Sequence, residues 1–262
     1  MFQSPGDIAF TIGLVDIHWY GVVMSISILL GLFVIIFIKK LYYKEILTDT
    51  ICDLSFVLII SGILSARLYY VLLDYKYFLK HPEEILAIWN GGISIQGAVI
   101  GGILIGLIYA KQNNINFLRY ADLFSFGIVT GQIFGRWGNF FNSEAFGLPT
   151  DLPWKLYIPY NARPIEYKSY EYFHPAFLYE SILSIFIFII LYLILTKVKN
   201  RKDGLIFLVY IILYSFARIL VESVRVDSVL SFNNIHIAQI VALLFVFASV
   251  ISLIILYKNK KS

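Results

Sequence analysis

The chain has little cysteine, little charge and none of several common catalytic motifs. Its one cysteine, Cys52, excludes an intrachain disulfide, and a position near the inner end of an apolar segment predicts a small buried residue. The patterns His-Glu-x-x-His, Cys-x-x-Cys and Gly-x-Ser-x-Gly are missing, and the glycine-rich stretch 91–97 lacks the lysine of a phosphate-binding loop. No basic groove with interleaved aromatic residues is present, so nucleic-acid binding is not expected.

Apolar residues dominate instead. The 262 residues are 59% hydrophobic and 15% charged, whereas soluble domains average about 45–50% apolar and about 25% charged residues. A helical span needs about 20 mostly apolar residues. The sequence predicts an all-α polytopic transmembrane bundle, one integral membrane domain over 1–262, with an extracytoplasmic loop at 138–175. The seven candidate spans are 17–38, 50–73, 93–110, 120–137, 176–196, 204–223 and 236–257.

The basic residues predict the orientation of these spans. With the N-terminus outside, the inner loops contain twelve lysines and arginines and the outer loops six. Because basic residues are enriched in cytoplasmic loops, this bias favours an outer N-terminus and a cytoplasmic C-terminus. The first segment lacks a preceding basic region, so no cleavable signal peptide is expected.

Polar residues collect toward the outer ends of the predicted spans. Residues scattered at random depths would not share one side of the membrane, so this distribution predicts a single site. The residues concerned are His18, Tyr20, Arg67, Ser94, Gln96, Arg136, Asn139, His174, Arg218, Glu222 and Gln239.

Arg136 is the most informative of them. An arginine at membrane depth costs about 2.5–3.5 kcal/mol on insertion scales and usually faces protein or water. Gly135 and Gly138 leave room for a ligand, and Asn139, Asn142 and Glu144 add donors and acceptors. Arg136 is therefore interpreted as an anion-binding residue, with an interfacial anchor as the alternative.

Two further groups belong to the predicted site. Arg218, Glu222 and Arg225 share one helix face, so Glu222 either holds Arg218 ready for a phosphate or forms a structural ion pair. His174 precedes Pro175 at a predicted helix start, where a neutral imidazole would serve as a base or as a structural cap. Glu180 is expected to pair with a basic residue inside the bundle.

The sequence resembles the bacterial phosphatidylglycerol–prolipoprotein diacylglyceryl transferases over nearly its whole length. The central Gly-Arg-x-Gly-Asn-Phe-x-Asn-x-Glu pattern at 135–144 is specific, and the combination of motifs is more so. The other motifs are His-Trp-Tyr-Gly at 18–21, Gly-Gly-Ile-Ser at 91–94, His-Pro-Ala-Phe-Leu-Tyr-Glu at 174–180 and Phe-Ala-Arg-Ile-Leu-Val-Glu at 216–222.

The resemblance implies an enzyme that transfers diacylglyceryl from phosphatidylglycerol to the lipobox cysteine of prolipoprotein signal peptides. It implies a multi-pass protein of the bacterial cell membrane, with its site toward the outer leaflet and no metal or other cofactor. The expected catalytic residues are Arg136, Arg218, Tyr20, Glu222 and His174. The expected substrate-binding residues are Arg136, Asn139, Asn142, Glu144, Arg67, Gln96 and Gly147.

Two positions depart from the family pattern. Gln96 stands where many members have a histidine that is a candidate base, and Phe177 where some have glutamine. Since glutamine cannot take the proton, either another group such as His174 assists, or the positive field of the arginines activates the thiol. A transporter or flippase for anionic phospholipids is the alternative function, although no inverted repeat supports it.

Overall fold

The computed structural model describes residues 2–13, 15–226, 231–232 and 235–258, which divide into two compact units. The first unit comprises Met1–Ile38 and Ala121–Ser262, and the second Lys39–Tyr120. Two of the lysines counted in the inner loops, Lys260 and Lys261, lie outside the described residues.

Helices account for most of the described chain, and each of the seven predicted segments coincides with one long helix. The helices are α1 (Trp19–Tyr42), α2 (Thr48–Leu73), α3 (Tyr75–Phe78), α4 (Ile95–Gln112), α5 (Phe117–Phe141), α6 (Ala176–Lys197), α7 (Leu205–Glu222) and α8 (Ile237–Lys258). The strands are β1 (Phe2–Gln3), β2 (Ile8–Ile12), β3 (Val15–His18), β4 (Leu156–Tyr157), β5 (Tyr172–Phe173), β6 (Ser231–Phe232) and β7 (Ile235–His236).

Within the described residues, six helices are long and apolar enough to cross a membrane: α1, α2, α4, α6, α7 and α8. Helix α5 is not among them, because polar residues such as Asp122, Gln132 and Arg136 lower its hydropathy. Large apolar side chains on these helices are exposed, for example Phe33 at 65% and Phe56 at 68%. So much exposed apolar surface indicates a lipid environment.

Glycine allows close helix packing within each unit. In the first unit, Gly31 of α1 lies against the backbone of Gly127 of α5, and a side chain on Gly127 would overlap Ile35. In the second unit, side chains on Gly97 or Gly101 of α4 would overlap α2. These glycines bring helix backbones together, the usual role of small residues in membrane helices.

The loop between α5 and α6 is ordered by a small sheet and an apolar core. Strand β4 pairs with β1 in parallel and with β5 in antiparallel orientation. The core beneath this sheet is formed by Ala145, Phe146, Leu156, Ile158, Phe173 and Phe177. The sequence did not predict these strands, since two-residue strands give no periodic signal.

The structure shows the burial of two residues that the sequence analysis singled out, Cys52 and Phe177. Cys52 was expected to be buried, and this is wrong, because its side chain is exposed on α2. Phe177 is 0% exposed and packs against Phe140 and Trp137, so the position at which it departs from the family pattern lies in the apolar core.

Asp122 of α5 caps the start of α7. It is 1% exposed and accepts hydrogen bonds from the backbone N–H groups of Gly204 and Phe207.

Candidate active site

One carboxylate joins two arginines from different helices in the first unit. Glu180 of α6 has its Oε2 atom 2.6 Å from Nη2 of Arg136 on α5. Its Oε1 atom accepts a hydrogen bond of 2.8 Å from Nη1 of Arg218 on α7. Arg218 also donates to Glu222 at 2.6 Å, and Arg225 lies 3.9 Å from Glu180. The predicted pairing of Arg218 with Glu222 and the predicted pairing of Glu180 within the bundle are both confirmed.

Burial differs between the two signs of charge in this cluster. The carboxylates of Glu180 and Glu222 are each 4% exposed, whereas the side chains of Arg136, Arg218 and Arg225 are 23%, 18% and 15% exposed. Buried charges need partners, and the carboxylates obtain them from the arginines. Three arginines against two glutamates leave one positive charge among these five groups. That charge is accessible through the arginines, so the cluster suits an anionic ligand.

Two tyrosines extend the cluster along α5 and α7. The Tyr214 hydroxyl accepts a hydrogen bond of 3.4 Å from Nη2 of Arg136. The rings of Tyr214 and Tyr210 stack with their centroids 5.9 Å apart, and the Tyr210 hydroxyl accepts a 2.8 Å bond from Gln132. Tyr214, one helical turn before Arg218 on α7, therefore gives Arg136 a second partner besides Glu180.

Tyr20 reaches the site from the first turn of α1. Its ring lies over Gly138, where an added Cβ would stand 2.9 Å from the ring carbon Cδ2. Tyr20 is half-buried and close enough to Arg136 and Glu144 to interact with them electrostatically. The glycine two positions beyond Arg136 therefore gives Tyr20 its place beside that arginine.

The end of α5 folds its polar residues back onto Glu144. Asn139 and Asn142 both donate side-chain hydrogen bonds to Oε1 of Glu144, at 3.1 and 3.2 Å. Ser143 and Ala145 on either side have φ angles of 54° and 56°, a left-handed conformation that costs non-glycine residues energy. The predicted substrate-binding residues Asn139, Asn142 and Glu144 thus form one network, held by a strained turn.

His174 and Gly147 lie together next to the end of α7. The Nδ1 atom of His174 is 2.9 Å from the Tyr179 hydroxyl, and that hydroxyl accepts a hydrogen bond from Trp154. The Gly147 N–H donates to the backbone oxygen of His174 at 2.8 Å. A Cβ on Gly147 would stand 2.7 Å from the backbone oxygen of Val224, so backbone packing alone requires glycine there.

Arg67 and Gln96 belong to the second unit. Arg67 is 7% exposed and donates to the backbone oxygens of Ile85, Gly91, Gly92 and Glu84 at 2.9, 2.8, 2.7 and 2.5 Å. This geometry is that of a residue that holds the 84–92 segment, and direct substrate contact by Arg67 stays a prediction. Gln96 is exposed and accepts a 2.6 Å hydrogen bond from Ser94.

The predicted catalytic and substrate-binding residues did not include Glu180 or Tyr214. Glu180 is the last residue of the motif at 174–180, but the motif does not reveal that one carboxylate contacts two arginines. Tyr214 precedes Arg218 by four residues, and this spacing was the available signal that both face the same side of α7.

Apolar helices around a buried, positively charged polar cluster define an integral membrane protein with an internal polar site. The prolipoprotein diacylglyceryl transferase family model matches residues 7–255. The chain belongs to that family, and it is a transferase.

Three relatives match over more than 90% of their length. A protein of Acaryochloris marina named phosphatidylglycerol–prolipoprotein diacylglyceryl transferase is 44% identical over 262 residues, covering 100% of this chain and 94% of that protein. Proteins of the same name from Trichormus variabilis and Synechocystis sp. are 43% and 41% identical, each alignment covering 100% of this chain and 93% of the relative.

Proposed function

We propose that this protein transfers the diacylglyceryl group of phosphatidylglycerol to the lipobox cysteine thiol of prolipoproteins, the first step of lipoprotein maturation. The observation that carries the proposal is the pairing of Arg136 and Arg218 across Glu180 in a chain of this family. Arginine stays charged and offers a planar fork of N–H donors that matches phosphate oxygens.

In the proposed reaction, Arg136 and Arg218 bind the phosphodiester of a lipid that enters laterally from the bilayer. The substrate thiolate attacks the glyceryl carbon, so that a carbon–sulfur bond forms. The carbon–oxygen bond to phosphate breaks, and its electron pair leaves with the glycerol phosphate. The arginines stabilise the charge that develops on this leaving group, and Glu222 orients Arg218.

The remaining site residues support these two arginines. Tyr20, with Asn139, Asn142 and Glu144, lines the approach to Arg136. The thiol proton goes either to His174 or to solvent, with the thiolate favoured by the positive cluster. Because Gln96 cannot accept a proton, this chain depends on one of those two routes.

The membrane arrangement belongs to the same proposal. We place the chain in the bacterial cell membrane as one integral domain of about seven spans. These are the six apolar helices together with α5. The N-terminus and the loop between α5 and α6 are outside, and the site faces the outer leaflet. The two-to-one excess of basic residues in the inner loops supports this orientation.

The test combines purified protein, phosphatidylglycerol and a lipobox peptide with a single cysteine. We expect equimolar glycerol phosphate and diacylglyceryl peptide, and neither product with a Cys→Ser peptide. Arg136→Ala should abolish transfer, and Arg218→Lys should reduce it strongly, because lysine lacks the bidentate fork. Near-normal transfer by either variant would contradict the proposed mechanism. Arg136-dependent lipid binding without product would instead favour a phospholipid transporter or flippase.

A further inference from the structure

We infer that Glu180 is a positioning residue, which sets the separation and orientation of the two arginines that bind the lipid phosphate. This inference rests on the proposed function and assigns a role within the same site. Glu180 is 4% exposed and stands between α5 and α7, with one carboxylate oxygen toward each arginine.

The contacts of the arginines leave donors for a ligand. Among the described residues, Arg136 uses only Nη2, for Glu180 and Tyr214. Arg218 uses Nη1 for Glu180 and Nη2 for Glu222. The Nε atoms of both arginines and Nη1 of Arg136 make no hydrogen bond within the described part of the chain. Glu180 therefore holds each guanidinium through one nitrogen, Arg218 by a hydrogen bond and Arg136 by an ion pair. Other N–H groups of the two arginines stay available to phosphate oxygens.

Orientation matters because an arginine on a long flexible stem otherwise samples many rotamers. A carboxylate that contacts both guanidinium groups limits them to one relative arrangement. A misplacement of about 1 Å at a reacting centre can reduce a rate on the order of 100-fold. Glu180 does not need to contact the lipid to have this effect.

Removing the charge of Glu180 distinguishes a positioning role from an effect on the electrostatic attraction of the lipid phosphate. Replacing Glu180 by glutamine keeps the shape of the side chain and one acceptor oxygen, but raises the summed charge of Arg136, Arg218, Arg225, Glu180 and Glu222 from +1 to +2. An anionic headgroup should then bind at least as tightly as before. If Glu180 positions the arginines, turnover falls although binding is kept.

The experiment measures kcat for transfer and Kd for phosphatidylglycerol in the full-length protein and in Glu180→Gln. We expect kcat to fall at least about tenfold, with Kd unchanged or lower. Glu180→Asp keeps the charge but is one methylene shorter, so it cannot contact both arginines, and its kcat should fall as well. A purely structural role would weaken lipid binding and thermal stability together with kcat.

A second measurement does not depend on turnover. The ³¹P NMR signal of bound phosphatidylglycerol should shift or broaden in both Glu180 variants, because the donors around the phosphate change. An unchanged ³¹P signal, wild-type kcat in Glu180→Gln or full recovery of kcat in Glu180→Asp would overturn the inference. If the wild-type protein makes no thioether product, the proposed function fails, and the ³¹P comparison still decides whether Glu180 orients the arginines.

Discussion

Gly138 and Gly135 lie on either side of Arg136 on α5. Comparing the transfer rates of Gly138→Ala and Gly135→Ala distinguishes overlap with the Tyr20 ring from a general effect of alanine on the helix. A Cβ on Gly138 would stand 2.9 Å from one ring carbon of Tyr20 and 3.3 Å from another. A Cβ on Gly135 would meet only the Met24 sulfur at 3.4 Å and Ser27 atoms farther away. Methionine is flexible and adapts to such a contact.

The expected magnitude follows from the cost of overpacking. Forcing one extra carbon into a packed site typically costs about 1–3 kcal/mol. If that strain falls on the arrangement of Tyr20 and Arg136, the transfer rate should fall roughly 5- to 150-fold in Gly138→Ala. Alanine is favoured over glycine in a helix by about 1 kcal/mol, so the control Gly135→Ala should not weaken the helix. Because its Cβ overlaps no neighbour, the transfer rate of this control should stay within about twofold of the wild-type rate.

The assay is transfer of diacylglyceryl to the lipobox peptide, with thermal unfolding in detergent to exclude a folding defect. Combining Gly138→Ala with Tyr20→Ala tests the cause. Alanine removes the ring that the added Cβ would meet, so Gly138→Ala should add little once the ring is gone. Equal losses in Gly135→Ala and Gly138→Ala, or fully additive losses in the double variant, would refute the reasoning.

Three further predictions concern the scaffold, each measured by thermal unfolding of the purified protein. Arg67→Lys should destabilise the protein by several kcal/mol and make the 84–92 segment accessible to protease. A hydrogen bond to a charged group contributes about 1.5–3 kcal/mol, and lysine cannot reach all the carbonyl oxygens that Arg67 binds. Protease resistance equal to that of the wild type would contradict this. Gly101→Ala should cost about 1–3 kcal/mol through overlap with α2, whereas Gly102→Ala, with open space beside it, should be neutral; equal effects would contradict it. Asp122→Ala should cost about 1–2 kcal/mol by removing the cap of α7, and an unchanged midpoint would show that the cap contributes nothing.

Gln96, at the position where a histidine would be a candidate base, makes a local hydrogen bond. Gln96 follows Ser94 at the start of α4, is exposed, and accepts a hydrogen bond from the Ser94 hydroxyl. Its carbonyl oxygen is thus engaged locally, and the amide has no titrating proton to exchange with a thiol. Activation of the thiol by His174 or by the arginine cluster therefore remains the hypothesis to test.

Local chemistry determined much of this protein from the sequence alone. Long apolar runs predicted the positions of the seven long helices, because a backbone in lipid must satisfy its hydrogen bonds internally. Helical spacing predicted the pair Arg218 and Glu222, since residues four apart share a helix face.

Only the tertiary structure decided how the charges are shared. The sequence placed Arg136 and Arg67 alike, as arginines toward the outer ends of apolar segments. The structure gives Arg67 four backbone carbonyls and gives Arg136 the carboxylate of Glu180. Such partners lie far apart along the chain and meet only when helices pack, so no local periodicity encodes them. The strong free-energy cost of an unpaired buried charge makes these long-range partners necessary, but packing chooses which groups they are.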